Sequence, residues 1–149
     1  MRRYVLDTNL YIAADRDRAR AEELIAFYAA FLPFTYLHAT VVQELLLGAR
    51  DARRGRQIQE AYVAPFEARG RVITPSYRAW KRSGEMMAAL IQQGVISPGG
   101  LRRSFLNDAL LATSCRESGA TLVTANTDDF ERLQEVEPFD FVRPWPTAT

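Results

Sequence analysis

The sequence predicts an α/β fold: a mainly parallel central sheet of four to five strands with helices on both faces. Three observations carry this. Short apolar runs alternate with longer helical patterns, the arrangement of a parallel sheet covered by its crossover helices. The strand-like runs are continuously apolar, as strands buried on both faces are, rather than alternating. A length of 149 residues, with 48% hydrophobic and 25% charged content, suits one domain over residues 1–149 and is short for two.

The strands expected are YVLD (4–7), FTYL (34–37), RVIT (71–74), TLVT (121–124) and FDFVR (139–143). Between them, AEELIAFYAAFL (21–32) is amphipathic and stops before Pro33. TVVQELLLGAR (40–50) opens with Thr40 and Gln43 at the spacing of a capping box. The more polar ARRGRQIQEAYVAPFEARG (52–70) reads as helical on both sides of Gly55. PSYRAWKRSGEMMAALIQQG (75–94) reads as one long helix, with Gly84 as a point of interruption and Gly94 as its end. The loop SPGG (97–100) leads to the helix LRRSFLNDALLATSCRESG (101–119), which ends on a C-terminal glycine.

The net charge is +1, and 18 of the 19 basic residues are arginine, with Lys81 the single lysine. Arginine suits planar contacts with phosphate, so the bias is weak support for a nucleic-acid partner. Cys115 is alone, which excludes an internal disulfide and a cysteine-based zinc site. No apolar run reaches the length of a membrane span, and MRRYVLD lacks the apolar centre of a secretory signal. The expectation is a cytoplasmic protein with no membrane association.

Carboxylates stand where apolar residues are expected. Asp7 ends a buried strand and is followed at once by Thr8 and Asn9. It reads either as a helix cap or as a ligand-binding acid at the carboxyl end of a parallel strand. Leu101, Phe105, Asp108, Ala112 and Cys115 share one helical face, so Asp108 interrupts a stripe that should pack on the sheet. A neighbouring helix end could satisfy it; a cation could too. Glu44 lies one turn into an otherwise apolar helix and reads as a surface acid or as a third ligand. The strand TLVT runs into Asn126, Thr127, Asp128 and Asp129, a capping cluster or a fourth acid.

Several carboxylates on one point repel one another and call for a cation. Oxygen donors suit Mg²⁺ or Mn²⁺, which bind substrate phosphates and activate water for in-line attack. Relief of that repulsion predicts that Asp7→Asn leaves the fold as stable or more so. Attack by a ribose 2′-hydroxyl wants a general acid and base, often a histidine pair, whereas this chain has only His38, read as packed or capping.

With these motifs together the chain resembles the PIN domain, and within it the VapC toxins of bacterial toxin–antitoxin pairs. The carriers are VLDTN (5–9), VVQELLLGAR (41–50), FLNDALLATSCRESGATLVTANTDDF (105–130) and the closing strand with VRPWP. The resemblance implies a three-layer sandwich and an acidic pocket for Mg²⁺ or Mn²⁺. It implies metal-dependent endoribonuclease activity, an RNA substrate, inhibition by a small cognate antitoxin, and a homodimer. Matched position by position, Asp7, Glu44 and Asp108 are the firmest catalytic and metal-binding acids. Some relatives place the fourth acid where this chain has Asn126 and others just before the Phe, here Asp129; Asp129 is chosen, with Asp128 facing solvent. Thr8, Asn9, Thr124 and Asn126 match supporting polar residues.

Arg78, Trp80, Lys81 and Arg82 interleave charge with an aromatic ring, as RNA contacts do and as a solvated helix face also does. RDARRGR (50–56) is the other dense basic stretch. Met86, Met87, Leu90 and Ile91 are core residues or a groove for a partner helix. Other functions compete. A PIN nuclease of RNA maturation shares the fold. An aspartyl-phosphate phosphatase would use Asp7 as nucleophile but wants an acid at position 9, which is Asn. A phospho-accepting receiver domain needs a lysine after a late strand, and Lys81 lies in a helix pattern.

Overall fold

Tyr4, Val5 and Leu6 alternate between two hydrophobic cores, as a strand's two-residue period requires. In a computed structural model, which describes residues 2–147, they form the middle strand of the sheet. Tyr4 and Leu6 enter a cluster with Leu10, Tyr11, Phe27, Leu37 and Val41. Val5 enters the opposite cluster with Met86, Leu90, Phe105, Leu111, Leu122 and Phe130. The strands are β1 (Arg3–Leu6), β2 (Thr35–His38), β3 (Val72–Ile73), β4 (Ala120–Val123) and β5 (Phe141–Val142). Their order is β3-β2-β1-β4-β5, and each neighbouring pair is parallel. Leu6 stands opposite Val123 in register.

The chain winds outward from β1 to β2 and β3, then crosses to β4 and β5 on the other side. The connections leaving β1 and β4 therefore diverge, which opens a crevice at the carboxyl ends of those two strands. One face carries α1 (Thr8–Arg16), α2 (Arg18–Phe31) and α3 (Ala39–Leu47). The other carries α6 (Tyr77–Gln92), α7 (Arg103–Ser118) and α8 (Thr127–Gln134). Between α3 and β3 lie α4 (Ala52–Ile58) and α5 (Ala64–Ala68), joined by a π-helical turn at Gln59–Val63. Pro65 has no N–H for the regular ladder, which accounts for the wider turn before it.

Several expectations are corrected. A separate first helix, α1, follows Asp7, and α2 begins at Arg18 because the Asp17 carboxylate accepts from the Ala19 N–H at 2.9 Å. The Thr40–Gln43 capping box does not form: His38 caps α3, its Nδ1 accepting from the Thr40 N–H at 3.1 Å. Gln43 instead accepts from Asn107 Nδ2 at 2.9 Å. Helix α6 runs unbroken through Gly84, and Gly55 lies inside α4. Leu101 lies before α7, and Asn107 through Cys115 are all buried, so the expected single stripe is a helix enclosed all round. It is enclosed because α3, α6, α8 and β4 all pack against it. Met86, Met87 and Leu90 are core residues, which removes the groove reading. Among the described residues no helix is long and apolar enough to cross a membrane.

Candidate functional site

Asp7 follows β1 and caps the helix after it. It is the N-cap of α1, with Oδ1 accepting from the Thr8 N–H at 2.8 Å. Its Oδ2 faces the crevice between β1 and β4, accepting from Thr124 Oγ1 at 2.7 Å and from Asn9 Nδ2 at 3.2 Å. Thr124 is fully buried and also accepts from the Asn126 N–H at 2.9 Å, which ties the two strand ends together.

Each remaining acid arrives on a different helix. Glu44 extends from α3, where its Oε1 accepts from Thr8 Oγ1 at 2.8 Å. Asp108 stands on α7, 7% exposed. Asp129 lies in the first turn of α8, where Asn126 Nδ2 donates to its Oδ2 at 3.0 Å. Arg102 and Arg132 approach it at 3.6 and 3.5 Å. Asp128 is exposed.

These acids feel one another. Burial pushes the Asp108 carboxyl up to about 8, and the charges of Asp7, Asp129 and Glu44 add to the rise while Arg102 opposes it. Burial also raises Asp7; its bonds from Thr124, Thr8 and Asn9 pull it down, and Asp129 raises it further. Glu44 is raised by burial and by Asp7, against Thr8 and Arg103. Asp7, Glu44, Asp108 and Asp129 thus share one electrostatic field.

The donor set is all oxygen and strongly anionic, which is the chemistry that a hard divalent cation neutralises. Among the described residues, however, no three such side chains already stand in a metal-binding group. Asp7 accepts from Thr8, Asn9 and Thr124, and Glu44 accepts from Thr8. In kind, these oxygen donors fit such an ion.

Two further features escaped the sequence reading. Arg102 and Arg103 flank the acids from the start of α7; their signal was the Arg pair five and six positions before Asp108. A cavity of about 740 Å³ runs from Glu44 past Arg16, Arg50 and Arg54. The larger cavity, about 810 Å³, is elsewhere: it holds Arg78, Lys81 and Arg82 with Glu117 and Glu137. Ser76 Oγ donates to Glu117 there, nine residues along α7 from Asp108, or about 13 Å at the helical rise. The basic cluster on α6 is therefore not gathered with the acids. Within it, Arg82 Nε donates to Glu137 at 2.9 Å and Nη2 to the Val136 carbonyl at 2.7 Å.

Comparison with known proteins agrees with this architecture. No curated protein sequence matches the chain. Among solved structures it is similar to VapBC from Salmonella typhimurium bound to DNA, with a TM-score of 0.71 at 20% identity, covering 96% of this chain and 98% of that one. It is similar to VapBC2 from Rickettsia felis bound to a promoter DNA fragment, with a TM-score of 0.68 at 22% identity and coverage of 96% and 98%. It is also similar to FitAcB from Neisseria gonorrhoeae, with a TM-score of 0.69 at 21% identity and coverage of 95% and 98%. At such identities the likeness is one of fold. The family model of the PIN domain matches residues 4–136, and with that match the chain belongs to the PIN domain family.

Proposed function

We propose that the protein is a Mg²⁺- or Mn²⁺-dependent endoribonuclease acting as the toxin of a VapBC-type toxin–antitoxin pair. The observation that supports this is the mutual charge repulsion of the four acids in a PIN fold: Asp7, Asp129 and Glu44 all act on the buried Asp108. Burial, and then the charges of those acids, push Asp108 up to about 8. Asp7, Glu44, Asp108 and Asp129 are the residues that would hold the ion. Once bound, the ion supplies charge to the scissile phosphate and lowers the pKa of an attacking water. Thr8, Asn9 and Thr124 orient Asp7 and Glu44, and Asn126 orients Asp129. Arg102 and Arg103 bring positive charge to the rim, where a phosphate chain enters. Arg78, Trp80 and Lys81 are exposed and suit a more distant stretch of the same RNA; Arg82 is committed to Glu137.

The partner in this reading is a small antitoxin, in keeping with the toxin–antitoxin complexes of similar fold. A homodimer and a cytoplasmic location belong to the same proposal, with the nuclease domain spanning residues 1–149. A housekeeping PIN nuclease is the competing role, and the presence or absence of an adjacent antitoxin gene separates the two. The phosphatase reading is disfavoured because position 9 is an amide that donates to Asp7, not an acid. The receiver reading is disfavoured because Lys81 is exposed on α6.

The test is cleavage of a mixed cellular RNA pool by the purified chain, with the ends mapped. Attack by water leaves 5′-phosphate and 3′-hydroxyl ends. Activity should vanish with a chelator and return with Mg²⁺ or Mn²⁺. Cyclic 2′,3′-phosphate ends, or full activity in excess chelator, would sink the proposal.

A further inference from the structure

We propose that a cavity of about 310 Å³ beside Asp7 receives the nucleobase adjoining the scissile phosphate and selects a base that carries an exocyclic amine. This rests on the nuclease reading above. The cavity is lined by Asn9, Ala13, Arg20, Glu23, Ala125 and Trp145, among others. Asn9 and Ala125 place it on the rim of the acids, since Asn9 donates to Asp7 and Ala125 lies between Thr124 and Asn126.

One wall is an aromatic platform. The Trp145 ring packs on Phe27 with centroids 5.2 Å apart, and its Nε1 donates to Glu23 at 2.9 Å. The ring is fixed on one side yet only half-buried, which suits stacking by a base. The polar edge accepts hydrogen bonds. Asn9 must turn Nδ2 toward Asp7, because a carboxylate offers no donor, and Nδ2 also faces Thr124 Oγ1 at 3.5 Å. That leaves Asn9 Oδ1 buried with no partner. A buried acceptor without a partner is costly until a donor reaches it. Glu23 is the second acceptor, held in place by Arg20 at 2.8 Å and by Trp145.

A site with an aromatic wall and accepting edge complements a base that presents N–H groups. Adenine, cytosine and guanine bring an amine with two hydrogens. Uracil brings one N–H between two carbonyl oxygens, which these acceptors repel. Single-stranded bases are read on that same edge.

The experiment follows the Trp145 indole N–H by NMR in the ¹⁵N-labelled full chain with Mg²⁺, during titration with AMP, CMP, GMP and UMP. Trp80→Phe assigns the signal. A saturable shift is expected with at least one amino-bearing nucleotide, with affinity at least about tenfold above that for UMP. Ala13→Leu, which fills the cavity, should weaken that binding at least about tenfold and should relax base preference at the cleavage site. Trp145→Leu, which removes the probe itself, is the second variant and should likewise relax base preference at the cleavage site; thermal midpoints report whether each variant folds. No saturable Trp145 shift, or equal affinity for UMP, overturns the proposal. So does an unchanged base preference in folded Ala13→Leu, and in that case the nuclease reading still stands. If the wild type cuts no RNA, the failure lies with the nuclease reading, and the cavity is judged on nucleotide binding alone.

Discussion

Asp108 is buried beside three other acids, and both facts oppose its ionisation. Burial first, and then the neighbouring charges, push its carboxyl up to about 8, far above its ordinary value. In the metal-free protein the folded state therefore holds a proton that the unfolded state has lost, so stability falls as pH rises toward 8. Asp7 and Glu44 are shifted in the same direction and add to the slope. His38 acts oppositely: burial lowers it from 6.5 to about 4, so stability is lost as pH falls below 6.5. A denaturation series in chelator should show stability rising from pH 8 down to about 6.5 and flattening below. Saturating Mg²⁺ should remove the upper slope. For the same reason Asp108→Asn should abolish cleavage yet raise the Tm of the metal-free protein by roughly 2–4 °C, about 1 kcal/mol. Asp7→Asn should also abolish cleavage but cost about 1 kcal/mol, because an amide has only one accepting oxygen: if it takes Thr124 and Asn9, its NH₂ is left facing the Thr8 N–H that the carboxylate's other oxygen accepts. Relief of repulsion alone predicted no loss at Asp7; the three bonds to it reverse that. Thermal melts in chelator and an RNA cleavage assay check both variants.

At the scale of elements, local chemistry sets where helices start. Asp17, Ser76 and Asp51 each accept from a backbone N–H in the first turn of α2, α6 and α4. Asp17→Ala should cost about 1 kcal/mol, read by chemical denaturation. Gly84 interrupts nothing: it is exposed within α6, and an added Cβ would meet no atom within 4 Å. Gly84→Ala should stabilise the chain by roughly 0.5–1 kcal/mol. The sequence reading did not single out these three caps, although each is a contact within three residues. The capping box at Thr40 misled because His38, two residues earlier, reached the same N–H first.

At the scale of the whole molecule, Glu137 ties the layers of one face together. It is 3% exposed and accepts from both Arg82 on α6 and Arg116 on α7. Removing it leaves two guanidiniums without their carboxylate. Glu137→Ala should cost about 2–4 kcal/mol while leaving the metal requirement of cleavage unchanged. Equilibrium unfolding and a Mg²⁺ titration of activity measure the two effects.

The sequence by itself determined the alternation of strands and helices, the parallel sheet and the anomalous acids, because hydrophobic period and a carboxylate on an apolar surface are local facts. Asp7, Glu44 and Asp108 were conspicuous for that reason. Tertiary structure alone decided the rest. It set the strand order that opens the crevice between β1 and β4, and it enclosed α7 on every side. It assigned Asn126 to hold Asp129, sent Arg82 to Glu137, and put the basic end of α6 far from the acids. Those outcomes join residues far apart in the chain. Only packing selects among the partners that each side chain could have taken.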